Sequence, residues 1–284
     1  MKLGTRGSAL ALAQAESVAR QLEDAELVTI TTSGDRDRGA TGDKERWTRE
    51  LDAALLDGRI DAAVHSAKDL PGRLAPGIAI AATPPRADPS DALCGATSVD
   101  ELPEGARVGT GSLRRAAQLK AIREDLEPAE LHGNVDTRLQ RLADGDFDAI
   151  VLACAGIERL GRGGEIGALL PDMVPAAGQG TIAITVRAGE EERVTDLDDA
   201  TTHAALDAER AVVIALGADC HTPIGAYATQ VDGIFSVEAF VGRPDGSAWL
   251  RDRLTEAGGD PADLGARVAG RMLAAGALEV LGRE

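Results

Sequence analysis

The chain has 284 residues, of which 44% are hydrophobic, and its 30 Lys and Arg against 47 Asp and Glu give a formal net charge of −17. This length and composition exclude a disulfide-stapled miniprotein and a disordered chain, and no apolar run approaches the roughly 20 residues that span a bilayer. The acidic balance argues against nucleic acid and membrane surfaces as partners, because like charges repel.

The first part of the chain alternates strands with helices, which is typical of an α/β domain. Ser8 is a good N-cap, and the polar residues 32–46 have no hydrophobic period, so they predict a loop. The predicted elements are strands at 2–5, 26–31, 60–65 and 78–83 and helices at 8–23 and 47–57.

The same alternation recurs as far as residue 180 and predicts a second α/β domain, after which an apolar strand at 182–186 is expected to return to the first sheet. The second domain is predicted to hold strands at 107–110, near Leu131 and at 148–153, with helices that begin at Ser112 and Asn134.

The last third predicts a small α+β domain with a three-stranded antiparallel sheet and helices on one face. Its elements are a helix at 202–216, strands at 224–229, 235–241 and 249–255, and a helix at 261–281. The expected fold class is therefore α/β, with two hinged α/β domains and an α+β domain. The domain boundaries are 1–84 with 181–198, then 85–180, then 199–284.

Three predicted helix starts could hold anions, because free backbone N–H groups and the positive end of the helix dipole point out of a helix start. Capping alone is the simpler explanation for any one of them, but the adjacent arginines in so acidic a chain favour a polyanionic ligand. The residues concerned are Ser8, Ser112 and Asn134 with Arg6, Arg114, Arg115 and Arg138.

Phosphate-loop and dinucleotide glycine patterns are missing, and the four histidines are scattered, so neither a nucleotide cofactor nor a metal is expected. Since arginine forks also suit carboxylates, a small substrate with several carboxylates fits best. Asp69, after the strand that ends at His65, is the candidate acid or base, although Asp-Leu-Pro is also a common turn.

Six ordered motifs that cover nearly the whole chain resemble those of the porphobilinogen deaminase (hydroxymethylbilane synthase) family. They are Thr5-Arg6-Gly7-Ser8 with Leu10, Ala11 and Gln14, His65-Ser66-Ala67-Lys68-Asp69-Leu70-Pro71, Gly109-Thr110-Gly111-Ser112-Leu113-Arg114-Arg115, Gly133-Asn134-Val135-Asp136-Thr137-Arg138-Leu139, Gly178-Gln179-Gly180 and Cys220-His221-Thr222-Pro223-Ile224-Gly225.

The resemblance implies two periplasmic-binding-protein-like α/β domains with the active cleft between them. It implies an enzyme of porphyrin and heme biosynthesis that condenses four porphobilinogen molecules, with release of ammonia, into a linear tetrapyrrole. The chain would be primed on a covalent dipyrromethane cofactor, with no metal or nucleotide.

The resemblance also implies roles for individual residues. Asp69 would stabilise the cation that forms as ammonia leaves, and Cys220 would carry the dipyrromethane. The residues expected to hold carboxylates are Arg6, Ser8, Lys68, Ser112, Arg114, Arg115, Arg138, Arg159 and Gln179. Weaker candidates for substrate or lid contacts are Lys44, Trp47, Thr110, His132 and Asn134.

Three departures from the family pattern bear on the cleft. His132 stands where the family usually has arginine, Gly111 replaces a serine, and the loop after Gly34-Asp35 is shorter. A degenerate relative without turnover and a carboxylate-binding protein are therefore the alternatives. A further hypothesis is a halophile-like acidic surface, for which an acidic proteome is the competing explanation.

A monomer in the cytoplasm is expected. The cysteines, Cys94, Cys154 and Cys220, are sparse and lack metal-site spacing, and the amino-terminal residues lack an export-signal pattern.

Overall fold

A computed structural model of the protein describes residues 1–36, 44–217 and 222–283. The strands are β1 (Lys2–Thr5), β2 (Glu26–Thr29), β3 (Ala62–Ser66), β4 (Ile78–Ala82), β5 (Asp91–Cys94), β6 (Arg107–Gly109), β7 (Glu127–Ala129), β8 (Ala149–Ala153), β9 (Ala168–Leu170), β10 (Ile182–Arg187), β11 (Ile224–Val231), β12 (Ile234–Gly242) and β13 (Trp249–Ala257). The helices are α1 (Ala9–Ala19), α2 (Ser33–Arg36), α3 (Arg49–Leu56), α4 (Leu113–Ile122), α5 (Val135–Ala143), α6 (Cys154–Arg159), α7 (Ala200–Ala215), α8 (Pro261–Ala274) and α9 (Ala277–Val280).

The first sheet has the strand order β2-β1-β3-β10-β4. Strands β1, β2 and β3 are parallel, whereas β10 runs antiparallel between β3 and β4. The prediction that strand 182–186 returns to the first sheet is therefore confirmed. This return places the end of β3, where Asp69 follows, beside the segment that leads into β10.

The second sheet has the order β7-β6-β8-β5-β9, again with a parallel part and an antiparallel part. The third sheet, β11-β12-β13, is antiparallel throughout. Its inner face buries Val237 and Ala239 against Val212 of α7 and Val268 of α8. The expected fold class, two α/β sheets and an α+β part, is confirmed.

Several predicted elements differ in extent or were missed. Strands β5 and β9 and helices α2 and α6 were not predicted, because runs of three to six residues show little periodicity. Helix α2 lies within residues 32–46, which were predicted to form a loop. The predicted closing helix 261–281 is interrupted at Gly276, whose φ of 92° ends α8 and precedes α9. No helix of the described ranges combines the length and the apolar character that a bilayer crossing needs.

Candidate active site

Asp69 is placed by a tight turn at the carboxyl end of β3. The residues Ala67–Asp69 form a short 3-10 helix, and the Ala67 N–H donates to the carbonyl oxygen of Thr181 at 3.0 Å. Gly178 packs against this turn with a φ of 74°, and a Cβ there would lie 2.8 Å from the Cβ of Ala67. The turn is thus fixed from the side of β10, and glycine is required at the contact.

The Asp69 carboxylate is half-buried and forms no hydrogen bond or ion pair with the rest of the described chain. It lines three adjoining cavities. We name two of them by a residue: the Asn134 cavity, of about 340 Å³, and the Ser112 cavity, of about 370 Å³. The third is a small recess of about 40 Å³.

Cations dominate the Ser112 cavity, and Asp69 is the only carboxylate among its described lining residues. The Asn134 cavity is lined by residues that adjoin the first sheet, such as Arg6, and by residues that adjoin the second sheet, such as Arg138. The cationic residues that line one or both are Arg6, Lys44, Lys68, Arg114, Arg115 and Arg138. In a chain of net charge −17, this concentration of positive charge indicates a binding site for anions.

Lys68 and Arg138 are the cations best placed to take a new partner, since neither forms an ion pair with another described residue. Burial, together with the nearby positive charge of Arg115, lowers the pKa of Lys68 to about 8. Burial likewise lowers the pKa of Arg138 to about 10, and its Nε donates only to the carbonyl oxygen of Gly133, at 2.8 Å. A bound carboxylate would stabilise the charged form of both side chains and so raise both pKa values.

Arg114 and Arg115 are buried and paired with Asp91 at the start of β5. Arg114 Nη1 lies 2.7 Å from Asp91 Oδ2, and Arg115 Nε lies 2.9 Å from Asp91 Oδ1. Burial alone would raise the pKa of Asp91, but the two guanidinium groups hold it well below its ordinary value. The Arg114 Nε is buried and has no partner among the described residues.

Gln179 joins the same network, because its Nε2 donates to Asp91 Oδ1 at 2.9 Å. Gln179 also lines the Ser112 cavity. The sequence analysis missed Asp91. The available signal was an acidic residue directly before the apolar run Ala92-Leu93-Cys94. Burial of an unpaired charge there would cost much free energy, so a cationic partner is expected.

Arg6 is paired with Asp35, a residue that the sequence analysis did not select. Arg6 Nη2 lies 2.6 Å from Asp35 Oδ1, and the guanidinium carbon stands 4.1 Å from the centroid of the Trp47 ring. Burial would raise the pKa of Asp35, but the bonds from Arg6 and Thr32 lower it overall. Trp47 leaves no room for a side chain at Gly34, where a Cβ would lie 2.3 Å from the indole ring.

The three predicted helix starts cap their helices and also line the cavities. Ser8 Oγ accepts a hydrogen bond from the Ala11 N–H, Ser112 Oγ from that of Arg115, and Asn134 Oδ1 from that of Thr137. The two explanations offered for these residues are therefore compatible. Each hydroxyl or amide keeps hydrogen-bonding capacity beyond its cap.

The remaining candidates are placed less centrally. His132 is exposed at the edge of the Asn134 cavity, 3.5 Å from a carboxylate oxygen of Glu130. Lys44 lines the Ser112 cavity, and its Nζ donates to the carbonyl oxygen of Lys68 at 2.6 Å.

Thr110 and Arg159 line none of the three cavities. Thr110 Oγ1 accepts from the Ser112 N–H, and Arg159 Nη2 donates to the carbonyl oxygen of Gly180. Cys220 and its predicted role lie outside the described residues.

Comparison with known proteins gives consistent matches. Residues 1–195 match the family model described as "Porphobilinogen deaminase, dipyromethane cofactor binding domain", and residues 204–274 match "Porphobilinogen deaminase, C-terminal domain". The porphobilinogen deaminase of Brevibacillus brevis is 44% identical, with 99% of this chain and 96% of that protein covered. The porphobilinogen deaminase of Roseiflexus castenholzii is 43% identical, with 99% and 98% covered.

Similar solved structures include a periplasmic sulfonate-binding protein from Methylobacillus flagellatus. It is 12% identical with a TM-score of 0.40, and the match covers 74% of this chain and 66% of that chain.

Proposed function

The chain belongs to the porphobilinogen deaminase family, and from this premise we propose that Asp69 and the surrounding cations form its active site. The protein is a transferase, hydroxymethylbilane synthase, which joins four porphobilinogen molecules into a linear tetrapyrrole with release of ammonia. The observation that carries the site assignment is a half-buried carboxylate with no partner in the described chain, at the junction of cavities lined by cations.

The cations hold the substrate and the growing chain by their carboxylates. Each porphobilinogen ring brings an acetate and a propionate group. Lys68 and Arg138 offer unpaired charges to such groups, and Ser112 and Asn134 offer hydrogen-bonding groups at helix starts. For Arg6, Arg114 and Arg115, the pairs with Asp35 and Asp91 set the direction of the guanidinium and leave some donors for a ligand.

Asp69 supplies the negative charge that the reaction needs. Loss of ammonia leaves positive charge on the substrate ring and its methylene carbon, and the surrounding arginines and lysines would destabilise that charge. A carboxylate fixed by the Ala67–Asp69 turn stabilises the developing cation without reorganising. The same carboxylate accepts hydrogen bonds from pyrrole N–H groups.

The residues present fit the dipyrromethane cofactor of this family. The carboxylates of the cofactor need cationic partners. The buried Arg114 Nε is a hydrogen-bond donor that has no acceptor in the described chain. We propose that Arg114, Arg115, Arg138 and Lys68 hold these carboxylates and that Cys220 carries the group. Thr222 and Ile224, which follow Cys220 in sequence, line the Ser112 cavity. When bound, the cofactor supplies the pyrrole to which the first substrate ring is joined.

We propose three domains with the predicted boundaries, the first two hinged where the chain passes between their sheets after β4 and before β10. Sheet membership supports this division. We also propose that the enzyme works as a monomer in the cytoplasm. The two described cysteines, Cys94 and Cys154, are free thiols, which suits a reducing compartment. Light scattering of the purified protein tests the monomer.

The intact mass of the denatured protein tests the function and the attachment site together. Protein from a host that makes porphobilinogen should exceed its sequence mass by two linked pyrrole units and should release ammonia from porphobilinogen. Cys220→Ser should lack both properties, while Cys94→Ala and Cys154→Ala, which remove buried thiols, should keep them. An unmodified wild type that releases no ammonia would favour a degenerate relative or a carboxylate-binding protein.

A further inference from the structure

The small recess beside Asp69 differs in chemistry from the two larger cavities. It shares Arg6, Ser8, Leu10, Trp47 and Asp69 with the Asn134 cavity but is otherwise lined by neutral groups. Its polar and charged lining residues are Arg6, Ser8, Gln14, Thr48, His65, Ser66 and Asp69. A volume of about 40 Å³ admits a few water-sized groups at most.

The recess contains little net positive charge. Arg6 is the one cation among its described lining residues, and its guanidinium is already paired with Asp35. His65 is buried, with its Nε2 2.9 Å from Thr185 Oγ1, and burial lowers its pKa to about 4. The imidazole is therefore neutral near pH 7. Asp69 adds a negative charge at the boundary with the larger cavities.

The neutral groups of the recess are good hydrogen-bond acceptors. Gln14 and Ser66 bond to each other, with Gln14 Nε2 2.8 Å from Ser66 Oγ, and both oxygens keep a free lone pair. The Thr48 hydroxyl is buried and makes no hydrogen bond of standard geometry within the described chain. A ligand that donates several hydrogen bonds and carries positive charge matches these groups.

We propose that this recess binds the aminomethyl group of porphobilinogen as its ammonium ion and receives the ammonia that leaves. This inference rests on the proposed function and extends it, because it assigns the two ends of the substrate to different places. The carboxylates go to the cationic cavities, and the ammonium goes to the recess. Opposite charges on one small molecule are thus held apart.

The assignment agrees with the chemistry of the reaction. The C–N bond breaks and its electron pair stays on nitrogen, so neutral ammonia departs and the positive charge remains on the ring and its methylene carbon. That carbon then bonds to the terminal pyrrole of the chain, and the proton displaced from this pyrrole carbon passes to the released ammonia, which leaves as ammonium. Asp69 lies beside the positive charge before and after the bond breaks, because it lines both the recess and the larger cavities.

The test compares two ligands and two serines. Ser66→Ala removes an acceptor of the recess, and Ser112→Ala removes one of the Ser112 cavity. The ligands are porphobilinogen, measured by kcat/KM, and an analogue with methyl in place of aminomethyl, measured by its inhibition constant. Ser66→Ala should lower kcat/KM about tenfold, the scale of one hydrogen bond to a charged group, and leave the analogue within about twofold of wild type. Ser112→Ala should weaken both ligands alike.

Equal losses for both ligands in Ser66→Ala would overturn the recess assignment. Equal dissociation constants of wild type for the analogue and for porphobilinogen, measured by calorimetry in the cold, would overturn it as well. If Ser66→Ala fails to fold, as judged by its melting curve, Thr48→Val takes its place, since it removes a buried hydroxyl at nearly constant volume. A wild type that binds both ligands but releases no ammonia would refute the proposed function, whereas a preference for the amine-bearing ligand would still support the recess.

Discussion

Asp69 is the only carboxylate among the described residues that line the Ser112 cavity, and substitution by asparagine separates the effect of its charge from that of its volume. Asp69→Asn keeps the shape and some hydrogen bonding but removes the anion. We expect kcat to fall by about 10² to 10³, the usual scale for loss of one electrostatic catalytic group, with a smaller change in KM. Steady-state kinetics measures this, with the exposed Asp196→Asn as a control. A near-normal kcat would remove Asp69 from the mechanism.

The Lys68 amine gives the cleft a pH dependence. Its pKa of about 8 means that the charge available to substrate carboxylates disappears as pH rises through 8. We expect KM for porphobilinogen to rise between pH 7 and pH 9.5 in wild type and to rise less in Lys68→Arg, because guanidinium stays charged. Identical pH profiles for the two proteins would contradict this.

The same lowered pKa has the opposite effect on the stability of the ligand-free protein. Between the folded value of about 8 and the ordinary 10.5, the unfolded chain binds more protons at Lys68 than the folded chain does. The free energy of unfolding should therefore gain a contribution from Lys68 as pH rises through this window. Denaturant melts of wild type and Lys68→Met at pH 7.5 and pH 10 measure the difference.

His132 stands at the rim of the Asn134 cavity, where the family usually has arginine. A guanidinium offers a permanent charge and a fork of donors to a carboxylate. We expect His132→Arg to lower KM. An unchanged KM from pH 6 to pH 9 would show that this position takes no part in carboxylate binding.

At the scale of elements, the Ala67–Asp69 turn depends on a close backbone contact with the segment before β10. Gly178 and Gly189 both have positive φ, 74° and 91°, but only Gly178 is crowded, while a Cβ at Gly189 would meet nothing within 4 Å. Both alanine variants should lose about 1 kcal/mol of stability from backbone strain. Gly178→Ala should lose about 1 to 3 kcal/mol more and should also lower kcat, because it displaces Ala67 and Lys68.

Chemical denaturation and kinetics on the two variants separate these effects. If Gly189→Ala lowers kcat as much as Gly178→Ala does, strain rather than the contact with the turn is responsible. If neither variant changes kcat, the turn tolerates displacement and does not need Gly178 to position Asp69.

The element pattern was largely predictable from sequence, and the exceptions share a cause. Strand β1, helix α4 and the three strands of the last sheet were predicted within a few residues, since their hydrophobic runs or caps are local. Strand β5 was missed because its four residues are all buried and follow a proline-rich segment. Burial of every residue removes the alternation of apolar and polar side chains that indicates a strand.

At the scale of the whole molecule, the net charge of −17 predicts a response to salt. If the acidic residues reflect adaptation to high salt, molar potassium chloride should raise the melting temperature by screening repulsion among carboxylates. Thermal melts from 0.1 to 3 M salt measure this. A melting temperature that stays flat or falls would favour the explanation by an acidic proteome.

The sequence by itself determined the family, the reaction and the order of the elements, because ordered motifs and local periodicity are properties of neighbouring residues. It also selected Asp69, Lys68 and Arg138, whose places in the cleft follow from motif turns next to strands and helices.

Tertiary structure decided how the other charges are used. Asp91 is 23 residues from Arg114 and 88 from Gln179, and Asp35 is 29 from Arg6, so no local pattern predicts these partners. The neutral recess beside Asp69 likewise exists only where α1 and β3 meet, with Gln14 and Ser66 contributed 52 residues apart. Charge pairing and cavity shape depend on distances in space, and these are set only when the sheets have formed and the chain has returned through β10.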